Sequence, residues 1–181
     1  MTQPLPTAQE LEKLPLRVVV AYASRTARRL SSELRGIVAD EILDNVLQIV
    51  DLVSTASFID DLDTSAIIRA AQHVAGAYAA SSDESKSLEK FRIVFSITHT
   101  AITAMSACEA AADPSHAGFF MKRAAGAAER AVRALEVLDA GAAAAAVEAA
   151  RRDYETFLAK YGEHEEVIVG EPIHCFDDAP E

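Results

Sequence analysis

A chain of 181 residues matches the span of ~100–200 residues usual for one domain, and its balance of 50% apolar and 25% charged residues excludes a disordered chain. Its formal net charge of −11 argues against nucleic acid as a partner, because that association depends on Lys and Arg neutralising phosphates. Alanine fills about a fifth of the chain while Gly and Pro are scarce, a bias toward helix because Ala loses no side-chain entropy there.

The first helical signal is Thr7-Ala8-Gln9-Glu10, a capping box. The helix it starts is short, since Pro15 cannot continue it. Pro15 suits the first turn of a second helix running to about Leu34. On that helix Leu16, Val19, Val20, Ala23, Ala27, Leu30 and Leu34 share a face, and Arg17, Arg25 and Arg28 lie opposite with Arg29 beside them. Arg25, Arg28 and Arg29 are a candidate anion-binding group, against the plainer reading of a solvated face. Gly36 marks a break.

Over 37–54 the spacing predicts a helix that is apolar around most of its circumference. Such an arc implies contact with two or more neighbours and a central place in a bundle. Its polar strip holds Asp40, Asp44 and Asp51 within ~40° of one another, with Glu41 and Gln48 alongside. Asp60, Asp61 and Asp63 follow as a turn and N-cap cluster, opening a helix to about Ala80. A further helix is expected over 84–112, where Arg92, Ser96, His99, Thr103 and Ser106 form a polar stripe. The stripe reads as a ligand groove with an anion-binding Arg at one end, or as the solvent side of an amphipathic helix. Asp113-Pro114 starts a new element, with helices over 115–140 and 141–161. Gly141 either breaks one long helix there or weakens it by ~1 kcal/mol. Gly162 closes the last helix at the C′ position.

The expected architecture is therefore all-α, a single-domain bundle of about five to six helices over 1–162, with an extended acidic tail over 163–181. The charge is segregated: residues 36–68 hold seven acids and no Lys or Arg, and residues 163–181 hold seven more, again without a base. The remaining chain is slightly basic. An acidic surface of this kind steers a basic protein partner and excludes wrong ones. Asp40, Glu41, Asp44, Asp51, Asp60, Asp61 and Asp63 are the residues expected to present it. The competing reading is a solvated face that keeps the protein soluble.

No catalytic or metal motif stands out. The paired Glu-x-x-His of di-iron bundles is missing, and His73, His99 and His116 read as ordinary or solvated residues. His164, His174 and Cys175 supply three ligands where structural zinc takes four. Asp40-Glu41-Ile42-Leu43-Asp44 brings carboxylates together, yet lacks the Glu-Glu-x-x-Glu run by which helical nucleotide pyrophosphohydrolases hold magnesium. No cofactor is expected. Cys108 and Cys175 have no ligand spacing, no secretory signal is seen, and the longest uncharged run is too polar to span a membrane. A cytoplasmic location is expected.

Two stretches carry a resemblance. Leu16-Arg-Val-Val-Val-Ala-Tyr-Ala-Ser-Arg-Thr-Ala-Arg-Arg-Leu30 resembles the opening helix of a loose family of Ala-rich all-helical bacterial proteins. Ala150-Arg-Arg-Asp-Tyr-Glu-Thr-Phe-Leu158, followed by Gly170-Glu-Pro-Ile173, resembles a later part of it. Some members are predicted immunity proteins that accompany polymorphic toxins. The resemblance implies a stoichiometric inhibitor with no active site of its own. The alternatives are a small metal-dependent bundle enzyme such as a nucleotide hydrolase, and a structural homo-oligomer joined through the Ala-rich final helices.

Overall fold

Side chains close to the backbone set the first turns. Thr7 Oγ1 accepts from the Glu10 N–H at 3.3 Å, and the Glu10 carboxylate accepts from the Thr7 N–H at 2.8 Å. This completes the capping box of α1, Ala8–Leu11. In the computed structural model, which describes residues 4–35, 40–56, 92–94, 96 and 117–162, Pro15 is then the N-cap of α2, Leu16–Ser32, one position earlier than expected. Its carbonyl accepts from Val18 and Val19 at 2.9 and 3.1 Å, and its missing N–H costs nothing at a helix start. The helix α3, Asp40–Ala56, opens with Asp40 and Glu41 in its first turn, where the free N–H groups favour negative charge.

Residues 92–94 and 96 are helical, and Ile93 and Val94 are fully buried. The chain then forms two 22-residue helices, α4 over Ala117–Leu138 and α5 over Ala140–Tyr161. The break between them falls at Asp139, not at Gly141. Asp139 takes an extended conformation and its carboxylate accepts from the Ala142 N–H at 2.9 Å, so a side-chain cap ends one helix and begins the next. Gly162 differs from expectation as well, being right-handed with φ −66°. Close approach explains the glycine there, since a Cβ would lie 2.5 Å from the Leu158 carbonyl oxygen.

The fold is an all-α bundle with no strand among the described residues. Among the described helices, α2 is the most enclosed. From Val18 to Ala27, α2 is buried on nearly every side, and it packs against α3, α4 and α5. The helix α3 turns back along α2 and covers one side of it. One core cluster joins Ala27, Leu30 and Leu34 of α2 to Leu43, Val46, Ile49 and Val50 of α3. It continues through Ile93, Val94, Leu135 and Ala146. A second cluster, at the other end of α2, joins Leu11, Leu14, Val18 and Tyr22 to Met121 of α4 and to Tyr154 and Phe157 of α5. The faces that α4 and α5 bury are largely alanine, and α4 and α5 pack on each other.

The expected helices over 64–80 and most of 84–112, and the acidic segment over 163–181, lie outside the described residues. No helix among the described residues is long and apolar enough to cross a membrane. Replacing Asp139 with Ala removes the cap of α5 and should lower unfolding stability by about 1 kcal/mol, read from the urea midpoint at unchanged slope. An unaltered midpoint would show that the cap contributes nothing.

Candidate functional site

Of the three arginines singled out on α2, two meet one carboxylate. Asp153 of α5 is 5% exposed. Arg29 donates to it through Nε at 2.7 Å and Nη2 at 3.0 Å, the two-pronged geometry that suits guanidinium and carboxylate. Arg25 approaches through Nε at 3.1 Å, and its own side chain is 13% exposed. A buried carboxylate is tolerated only when its charge is matched and its lone pairs are filled, and here two cations do both. Arg28 points elsewhere and pairs with Asp51 of α3, both about half exposed. The three arginines are thus divided between two helix–helix ties.

The carboxylates of α3 are divided too. Asp51 is taken up by Arg28. Asp40, Glu41 and Asp44 are exposed, and none of the three has an ion pair within the described structure. Asn45 and Gln48 extend the same exposed face, so α3 presents a negative ridge at its N-terminal end. Asp60, Asp61 and Asp63 lie outside the described residues, as do His99 and Thr103. Arg92 is exposed and Ser96 is 5% exposed, so the polar stripe begins with one side chain at the surface and the next inside. Among the described residues no group of three or more His, Cys, Asp or Glu could hold a metal ion.

Beside Asp153, α5 makes a second set of contacts that its sequence alone did not single out. The Tyr154 hydroxyl donates to the Glu10 carbonyl at 3.0 Å, and its ring meets Tyr22 edge-on with centroids 6.4 Å apart. The Arg151 Nη1 lies 2.7 Å from Glu10 Oε1, and its guanidinium sits 5.3 Å from the Tyr154 ring centroid. Burial pushes the Tyr22 and Tyr154 phenols above their ordinary range. The Glu10 carboxyl lies below its ordinary value, chiefly because the Thr7 N–H donates to it, with Arg151 acting in the same direction. One turn from these contacts, the Ser24 and Thr26 hydroxyls are buried without a hydrogen-bond partner.

A signal for Asp153 was present in the spacing. Ala143, Ala146, Ala150, Asp153 and Phe157 recur at three and four residues, the period of a helix's buried stripe, and an acid on that stripe needs a buried cation. Tyr22, Arg25 and Arg29 repeat the same period on α2. No family model, curated protein or solved structure matches the chain.

Removing the Asp153 carboxylate with Asn leaves two partly buried guanidiniums short of an anion, and should cost roughly 2–4 kcal/mol by urea unfolding. Replacing Arg25, Arg29 and Asp153 together with Met, Met and Leu should recover most of that loss. A triple variant as unstable as the single one would refute the account. The depressed pKa of Glu10 stabilises the fold above the ordinary glutamate value of ~4.3, and that contribution is lost as pH falls through the folded-state value. The melting temperatures of the wild type and Glu10→Gln should therefore differ at neutral pH and converge on acidification. A gap that stays constant from neutral pH into acid would exclude Glu10 as the titrating group.

Proposed function

We propose that this protein is a non-enzymatic, cytoplasmic binding or inhibitor protein that offers the α3 ridge to a basic protein partner. The observation that carries this reading is that Asp40, Glu41 and Asp44 stand within five residues of one helix, exposed and free of ion pairs, whereas several acids elsewhere in the described structure are matched by bases. Asp153, Asp51, Glu10, Glu129 and Glu148 each face an arginine. Asp40 and Glu41 lie in the first turn of α3, where the helix dipole favours negative charge. Unpaired surface carboxylates raise the rate of encounter with a cationic surface and make it sensitive to salt. The resemblance of Leu16–Leu30 and Ala150–Leu158 to Ala-rich proteins that include predicted immunity proteins is in keeping with an inhibitor.

The ion pairs separate binding from stability. Immobilised full-length chain carrying Asp40→Asn, Glu41→Gln and Asp44→Asn should lose the basic proteins that the wild type captures from its own cells at low salt. Its far-ultraviolet helical signal should be unchanged. Asp51→Asn should keep that capture and lose at most about 1 kcal/mol of stability, the usual range for an exposed pair. An identical set of captured proteins from the triple variant and the wild type would overturn the reading.

A second reading has one observation in its favour. Val137 is 71% exposed, and Ala140, Gly141, Ala144 and Ala145 at the start of α5 are exposed as well, apolar surface of the kind that suits a second copy of the chain. Light scattering that returns a monomer mass at every concentration would remove it.

A further inference from the structure

Mid-way along α4 stands Gly126, an interior helical position where glycine is less favourable than alanine. Packing gives no reason for it, because a Cβ there would come no nearer than 3.4 Å to another side chain, the Arg130 Nη1. What Gly126 does is line a groove of about 520 Å³ between residues 4–8, α4 and α5. That volume lies within the ~300–1,000 Å³ typical of small-ligand sites. Leu5, Ala125, Val132 and Val147 make its walls apolar. The polar residues at its edge are Lys122, Glu129 and Arg133. Glu129 is taken up by Arg133, and Lys122 is exposed with no ion pair, so the rim carries an excess positive charge.

Leu5, Pro6 and Ala125 also border a cavity of about 10 Å³ beneath the groove. Thr26, 2% exposed, faces that cavity. Its hydroxyl approaches the Tyr22 phenol without completing a hydrogen bond.

We infer that this groove binds a free, single-chain aliphatic carboxylate, its chain along Leu5, Val132 and Val147 and its carboxylate at Lys122. Gly126 keeps the channel open, and Lys122 selects the head group. The groove draws no residue from α3, so this site is independent of the acidic ridge.

Decanoate below its micellar concentration is the probe, titrated calorimetrically into the full chain. Saturable binding of one molecule per chain is expected, with none for decyltrimethylammonium, which has the same chain and the opposite charge. Gly126→Leu should abolish binding while holding or raising the melting temperature, since leucine is the better helix former. Lys122→Gln should weaken binding by about tenfold, the loss of one charge-assisted contact. The site is overturned if decanoate does not saturate, if the cationic amphiphile binds as well, or if Gly126→Leu binds as the wild type does. It is equally overturned if binding appears only with decanoate held in phosphatidylcholine vesicles, which marks surface adsorption.

Discussion

A carboxylate inside a helical bundle constrains everything near it, because water no longer shields its charge. Asp153 is held between Arg25 and Arg29, and those two arginines stand one turn apart on α2. The facing residue on α5 can satisfy both only when the helices sit at one relative height. Tyr154, the next residue, then reaches the carbonyl of Glu10 and the edge of Tyr22. Arg151 reaches the Glu10 carboxylate. Contacts that reach from α1 through α2 to α5, all made by about one turn of α5 from Arg151 to Tyr154, thus follow from where one acid is placed.

This matters more here than in most bundles because α4 and α5 bury mainly alanine. Alanine ridges let helix axes come close, but one methyl resembles the next. Sliding such a face by a turn changes its packing little, and each methyl hides only a small area of apolar surface. Shape alone leaves the register weakly determined. A buried ion pair has the opposite character: it adds little net stability over an apolar substitute, yet any shift that separates the charges is costly. The alanines permit close approach, and the Asp153 tie selects one arrangement from those they permit.

How far the fold was legible follows from the range of the interactions involved. The capping box at Thr7 and Glu10, the helix start after Pro15 and the exposed acids of α3 were readable, since each depends on residues within a turn of one another. Gly141, a weak breaker, leaves open whether the final helical stretch is one helix or two, and the break falls instead at Asp139, whose side chain is a strong cap. The role of Asp153 was missed for a different reason. With Arg151, Arg152 and Glu155 around it, the residue looks like part of a solvated surface, and only the three-and-four spacing with Ala146, Ala150 and Phe157 places it inside. Likewise Arg25 and Arg29 read as the solvent side of α2 until α5 is laid against them. The centrality of α2 was hidden by the same arginines, which made a buried helix look amphipathic.

Leu16–Leu30 and Ala150–Leu158, the two stretches on which a family resemblance is proposed, are the two that this tie joins. Arg25 and Arg29 lie within Leu16–Leu30, and Asp153 and Tyr154 within Ala150–Leu158. An intramolecular packing requirement therefore suffices to explain why both stretches occur in one chain, with no partner involved. Likeness at these positions bears on how α2 and α5 dock. Residues that meet a partner belong on surfaces the tie leaves free, and the ridge of Asp40, Glu41 and Asp44 is such a surface. Ion pairs within the bundle occupy arginines of α2, α4 and α5, while Asp40, Glu41 and Asp44 of α3 are left facing outward, away from the core that positions them.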